Sequence, residues 1–150
     1  MRKKSDKVFS VIDTGIFDSM VLFSCGFSCE ELIQELKAQN CEDWVECLKN
    51  DSVTLEHGDY WALKRLLKEK KTTYTYFYIF FRNQFDFSDK SMCILAHECL
   101  HICQFVLSEL LDRNREVECE AYLHSHLMMQ CLSLLRGSKK KKNERSETTD

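Results

Sequence analysis

The sequence has no apolar run of membrane-spanning length, no large excess of one charge, no CxxC pair and no internal repeat. Each absence removes a class of protein. The longest purely apolar run, residues 76–81, is far short of the roughly 20 residues a transmembrane helix needs. A net charge of -3 sets no bias toward nucleic acid or anionic lipid. The start Met1-Arg2-Lys3-Lys4 is basic, but the apolar stretch after it is broken by Asp13 and is too short for a secretory core. Nine cysteines would suit a disulfide scaffold, yet the count is odd. Cys25 and Cys29 are four apart, as are Cys99 and Cys103, and the others are scattered. That argues against a zinc ribbon or a redox dithiol motif. The expectation is a soluble, cytoplasmic protein with reduced thiols, most of them small core residues. At 150 residues, 44% of them hydrophobic, it is long enough for one domain with a real core.

Residues 8–13 and 16–25 are rich in β-branched and aromatic side chains and flank Thr14-Gly15, so they read as strands about a turn. Ser28-Cys29-Glu30-Glu31 has the form of a capping box: a hydroxyl at the N-cap and a carboxylate three residues on. It predicts a helix over residues 29–38. Asn40 is a candidate cap for a shorter helix through Trp44 and Leu48. Residues 53–55 read as a short strand before a turn at Gly58. In residues 60–70, Trp61, Leu63, Leu66 and Leu67 alternate with basic residues, which suggests an amphipathic helix. Residues 72–81, TTYTYFYIFF, form the clearest strand in the chain. Both faces are apolar beyond Tyr76, so it should lie in the sheet interior or against a cleft. Two long helices follow. One is capped at Ser88 or Asp89 and runs to about residue 111. The other spans about 116–135 and stops at Gly137. Lys139 to Lys142 and the residues after them offer almost nothing apolar, so residues 138–150 are expected to be a disordered, solvated tail rather than a nucleic-acid contact.

The first long helix carries His97-Glu98-Cys99-Leu100-His101. Residues four apart share a helix face, so His97 and His101 point the same way one turn apart. Two neutral imidazoles so placed can bind one Zn²⁺. Glu98 is rotated to the side, where it could serve as a base for a metal-bound water without being a ligand. The ordinary alternative is a pair of core histidines bonded to backbone carbonyls. The apolar setting of Ile94, Leu95, Leu100, Ile102, Phe105 and Val106 makes burial of these three polar groups costly without partners. A metal would be one such partner. A catalytic site also needs a third protein ligand. The next helix offers Glu116, Glu118, Glu120, His124 and His126. Glu118, Tyr122, Ser125 and Met129 share one row, and Glu120 and His124 lie nearly opposite. Periodicity does not choose between the two faces. Cys99 points away from the histidines and reads as packing. Cys93, one turn before His97, reads as a buried neutral thiol. Gln104 shares the histidine face.

His97-Glu98-Cys99-Leu100-His101 followed by Glu118-Cys119-Glu120-Ala121-Tyr122 resembles the gluzincin group of zincin metallopeptidases, whose third ligand is a glutamate on the next helix. The small size, the strand before the motif and the ending AYLHSHL also resemble small metallopeptidase-like proteins encoded by phages and prophages. The resemblance covers about residues 72–135. It implies that His97, His101 and Glu118 hold Zn²⁺, that Glu98 is the general base, and that Ala121 lets the two helices approach. Tyr122 is a candidate oxyanion donor, with a packing role as its alternative; His124 and His126 are other candidates. Tyr122 stands where better-studied members have Asp or Asn. The strand at 72–81 could supply an edge on which an extended peptide pairs.

The expected fold is α+β: a small, mostly antiparallel sheet packed on helices, zincin-like over residues 1–137, with the metal between the last two helices. The expected function is hydrolysis of a peptide or protein substrate by a zinc metallopeptidase in a cytoplasm, the host's if the chain is phage-encoded. The rival is a zincin-scaffold metal-binding protein without peptidase activity, acting as a binding or regulatory module. No membrane partner is expected, and the sequence does not give the oligomeric state.

Overall fold

A computed structural model describes residues 7–15, 19–56, 60–69, 72–108 and 117–146, with residues 51–56, 60–69, 72–75, 117–118 and 138–146 described as backbone. In chain order the elements are β1 (Val8–Asp13), β2 (Met20–Cys25), α1 (Cys29–Ala38), α2 (Glu42–Glu56), β3 (Tyr60–Glu69), β4 (Thr72–Phe81), α3 (Asp89–Ser108) and α4 (Val117–Ser146). The strands form one sheet in the order β1-β2-β4-β3. Two of its pairings are antiparallel, β1 with β2 and β3 with β4; β2 and β4 run parallel. The α+β class and the mostly antiparallel sheet are therefore as expected, while helices cover both of its faces.

The two faces follow from strand alternation, which sends successive side chains to opposite sides. Val21, Phe23, Cys25, Phe77, Ile79 and Phe81 pack under α3 and α4. Leu22, Tyr78 and Phe80 pack under α1 and α2, with Trp44 set edge-on against Tyr76 and Tyr78. A strand buried on both sides reads as a continuous apolar run, and this explains residues 76–81.

Local chemistry sets several of the ends. The capping box forms: Ser28 Oγ accepts from Glu31 N, and the Glu31 carboxylate accepts from Ser28 N. Ser88 caps α3, its Oγ accepting from Ser91 N, while Asp86 accepts from Ser88 N and Ser91 Oγ. Just before this cap, Phe87 holds a left-handed backbone (φ 59), which is strained for a bulky side chain. Its ring sits edge-on to Phe85, which is edge-on to Phe81.

Four expectations fail here. Residues 60–69 form a strand, not an amphipathic helix, because β4 offers ten residues of backbone to pair with; tertiary pairing overrides a weak helical pattern. Residues 53–55 belong to α2 and not to a strand. Asn40 caps nothing; it takes a left-handed backbone (φ 57) that turns the chain between α1 and α2. Finally, α4 passes through Gly137 to Ser146, so the helix does not stop at Gly137. Lysine is a good helix former, and cations favour a helix C-terminus. The turn at Gly58, residues 109–116 and residues 147–150 lie outside the described residues.

A Cβ built at Gly137 meets nothing within 4 Å. Gly137→Ala should therefore stabilise α4 by up to about 1 kcal/mol, the usual cost of glycine inside a helix. Urea denaturation and helical circular dichroism should both rise. An unchanged signal in both would mean that the helix ends earlier.

Candidate metal centre

The apolar residues of α3 choose its orientation. Leu95, Cys99, Ile102, Cys103, Val106 and Leu107 are buried against the sheet and α4. Helical geometry then turns Cys93, His97, Gln104 and Ser108 outward, and all four are exposed. His101 is half-buried. Its ring stacks on Phe105 one turn on, at 6.1 Å and 14°. The burial argument made for the motif thus applies to Glu98 alone, which is 6% exposed; the histidines remain accessible. Cys93 is exposed as well, against the expectation of a buried thiol.

His97 Nε2 and His101 Nε2 are 2.9 Å apart, with the rings nearly perpendicular. Two imidazoles on one tetrahedral zinc would hold their nitrogens ~3.3 Å apart, given Zn–N bonds of about 2.0–2.1 Å. The observed convergence is close to that spacing. It also matches a hydrogen bond between two neutral rings, one donating N–H to the other's lone pair. Among the described residues no third His, Cys, Asp or Glu joins them to make a group of three. The pair therefore fits two ligands of a metal. The third ligand implied by resemblance, Glu118, lies in the first turn of α4, where the backbone alone is described.

The structure does choose which face of α4 turns to α3. A buried row of Leu123, Leu127, Cys131 and Leu135 sets the depth of α4 in the core. Beside that row, His124 Nε2 lies 3.0 Å from the Ala96 carbonyl oxygen of α3. Glu120 is near enough to Cys103 for its charge to act on that thiol. Tyr122, Ser125 and Met129 lie on the outer side, with Tyr122 81% exposed. On α3, Ala96 and Cys103 share a face, and His97 and His101 are rotated from Ala96 by about 100–140°. His126 Nε2 is 3.0 Å from the Asp13 carbonyl at the end of β1. Each α4 histidine thus has its Nε2 engaged with a backbone carbonyl, which sequence reasoning did not anticipate. No periodicity marks such a bond.

The strand expected to offer a peptide-binding edge does not do so over residues 77–81. There β4 lies between β2 and β3. The edges of the sheet are β1 and β3.

The thiols on the inner side are held protonated. Cys99 is shifted strongly upward by a hydrogen bond with Cys131 first, then by burial, then by the charges of Cys131 and Glu98. Burial is the main cause that pushes Cys103 up to about 12, helped by the charges of Cys99 and Glu120. Cys25 is pushed up to about 11 by burial, partly offset by a backbone hydrogen bond from Phe85. Such thiols are poor nucleophiles and poor ligands. The packing role expected of Cys99 holds.

Comparison of the chain with protein-family models, with curated proteins and with solved structures finds no match in any of the three.

The Cys25 shift has a pH consequence. Below the ordinary thiol value of 9.0, the folded and unfolded chains both keep this proton. Above it the unfolded thiol ionises first, so stability falls as pH rises from 9.0 through about 11. Urea midpoints measured between about pH 8 and about pH 10.5 should fall in the wild type and fall less steeply in Cys25→Ala. Equal slopes would show that Cys25 ionises alike in both states.

Proposed function

We propose that this chain binds zinc at His97 and His101 and is a zinc-dependent metallopeptidase. In this reading Glu118 is the third ligand and Glu98 the general base. The observation that carries the reading is the convergence of the two Nε2 atoms on one exposed helix face, 2.9 Å apart. Two imidazoles and a carboxylate suit zinc better than the harder cations, which prefer all-oxygen sites. When bound, zinc would acidify a water and polarise a carbonyl. The residues of the chain supply the rest. His97 and His101 open to solvent, so a peptide can approach from that side. Phe105 holds the His101 ring by stacking. Glu98, next to His97 in sequence and buried, is the carboxylate that would accept a proton and return it to the leaving amine. A phage or prophage source and work in a bacterial cytoplasm rest on the resemblance and belong to the same proposal.

A second reading, metal binding without peptidase activity, is favoured by one specific observation. Glu98 is 6% exposed, whereas His97 is exposed and His101 half-buried. A base shut off from solvent has less access to a water held on the open side of the histidines.

Metal content tests both readings, and hydrolysis separates them. Protein purified without chelator or metal resin should carry about one zinc per chain, and His97→Ala should lose it. Glu118→Ala should lose zinc and Glu120→Ala should keep it. The reverse pattern would make Glu120, on the face turned to α3, the third ligand. Glu98→Gln should keep zinc while any peptide hydrolysis drops on the order of 100-fold or more. Zinc without hydrolysis in the wild type, across a mixed peptide library, would select the second reading. No zinc in the folded wild type after add-back would overturn both.

A further inference from the structure

The leucine row of α4 determines how deep the helix sits, but an apolar row leaves its rotation and axial register loosely set, since van der Waals contact is not directional. Two directional contacts of α4 are seen among the described residues. His126 holds α4 to the end of β1, with Nε2 3.0 Å from the Asp13 carbonyl oxygen. His124 holds it to α3, with Nε2 3.0 Å from the Ala96 carbonyl oxygen across 28 residues of sequence. A carbonyl oxygen only accepts, so His124 must donate Nε2–H, and this fixes its tautomer when the ring is neutral. Within α3 the Ala96 carbonyl faces the amide of Leu100, four residues on. The acceptor therefore spans the turn that begins the histidine motif, and Ala96 is the residue immediately before His97.

We propose that His124 is a positioning residue for the metal site. Its Nε2–H fixes the rotation of α4 against the turn that carries His97, and so fixes where the first turn of α4, with Glu118, begins. This rests on the zinc-binding reading above. His124 is then not an oxyanion donor through Nε2, because that atom is already engaged. Partners of this kind, which do not touch the metal, typically change its affinity by about 10–100-fold when removed.

The test compares full-length wild type, His124→Leu, which has no donor, and His124→Gln, whose amide can donate. Zinc affinity is measured by competition with a chromogenic chelator, on samples shown by circular dichroism and urea denaturation to be folded. The expected result is zinc binding weakened about tenfold or more in His124→Leu and largely restored in His124→Gln. Wild-type affinity in a folded His124→Leu, beside a wild type that binds zinc, overturns this inference and leaves the zinc reading intact. If His124→Leu does not fold, His124→Gln decides: near-wild-type affinity supports the donor role, and a loss as large as tenfold overturns it. A wild type that binds no zinc overturns the zinc reading and the positioning role together. Nitrogen-15 correlation spectra of the wild-type imidazoles give a readout that needs no metal. A neutral His124 protonated at Nε2 supports the bond to Ala96; one protonated at Nδ1 overturns it.

Discussion

The parallel pairing of β2 with β4 carries the rest of the structure. Val21 to Cys25 lie beside Phe77 to Phe81, and both strands are buried on both faces. A strand of this kind is stable only if both sides of the sheet are covered. The chain between β2 and β4 supplies α1 and α2 for one face, and the chain after β4 supplies α3 and α4 for the other. The antiparallel partners, β1 and β3, complete the sheet at its two edges.

That constraint determines where the histidines stand. α3 must present Leu95, Cys99, Ile102 and Val106 to the sheet. With that face committed, His97 and His101 have only the outer side available. The inner flank of α3 is then filled by α4, whose own leucines and Cys131 close the core against Cys99 and Cys103. The buried thiols act here as small apolar fillers. The same core thus produces an open histidine pair on one side of α3 and inert sulfur on the other.

The two histidine-to-carbonyl contacts of α4 serve a different purpose. Burial is strong but not directional, and it tolerates sliding and rotation. A hydrogen bond demands a distance and an angle. One bond to α3 and one to β1 give α4 an orientation that the leucine row alone does not impose. They turn the Glu120–His124 side inward and leave Tyr122 and Met129 outward.

Much of the chain could be read from the sequence. The capping box at Ser28, the strand at 72–81, the β1–β2 pair and the helix that carries His97 and His101 are encoded in residues close together in sequence. Caps, alternation and helical spacing act over a few residues, so short stretches suffice to specify them. The convergence of the two imidazoles is of this kind, since a spacing of four on any helix brings them together. The strand at 60–69 was not legible, because its leucines and lysines suit a helix as well and a partner ten residues long decided the matter. Neither was the face of α4, because both of its polar rows are interrupted by apolar residues. By itself, then, the sequence determined the local elements and the pairing of His97 with His101. The tertiary structure alone decided that the pair faces outward, that Glu98 is buried, and that Glu120 and His124 turn to α3. Those outcomes depend on which apolar surfaces meet across long separations in the chain, and no local pattern carries that information.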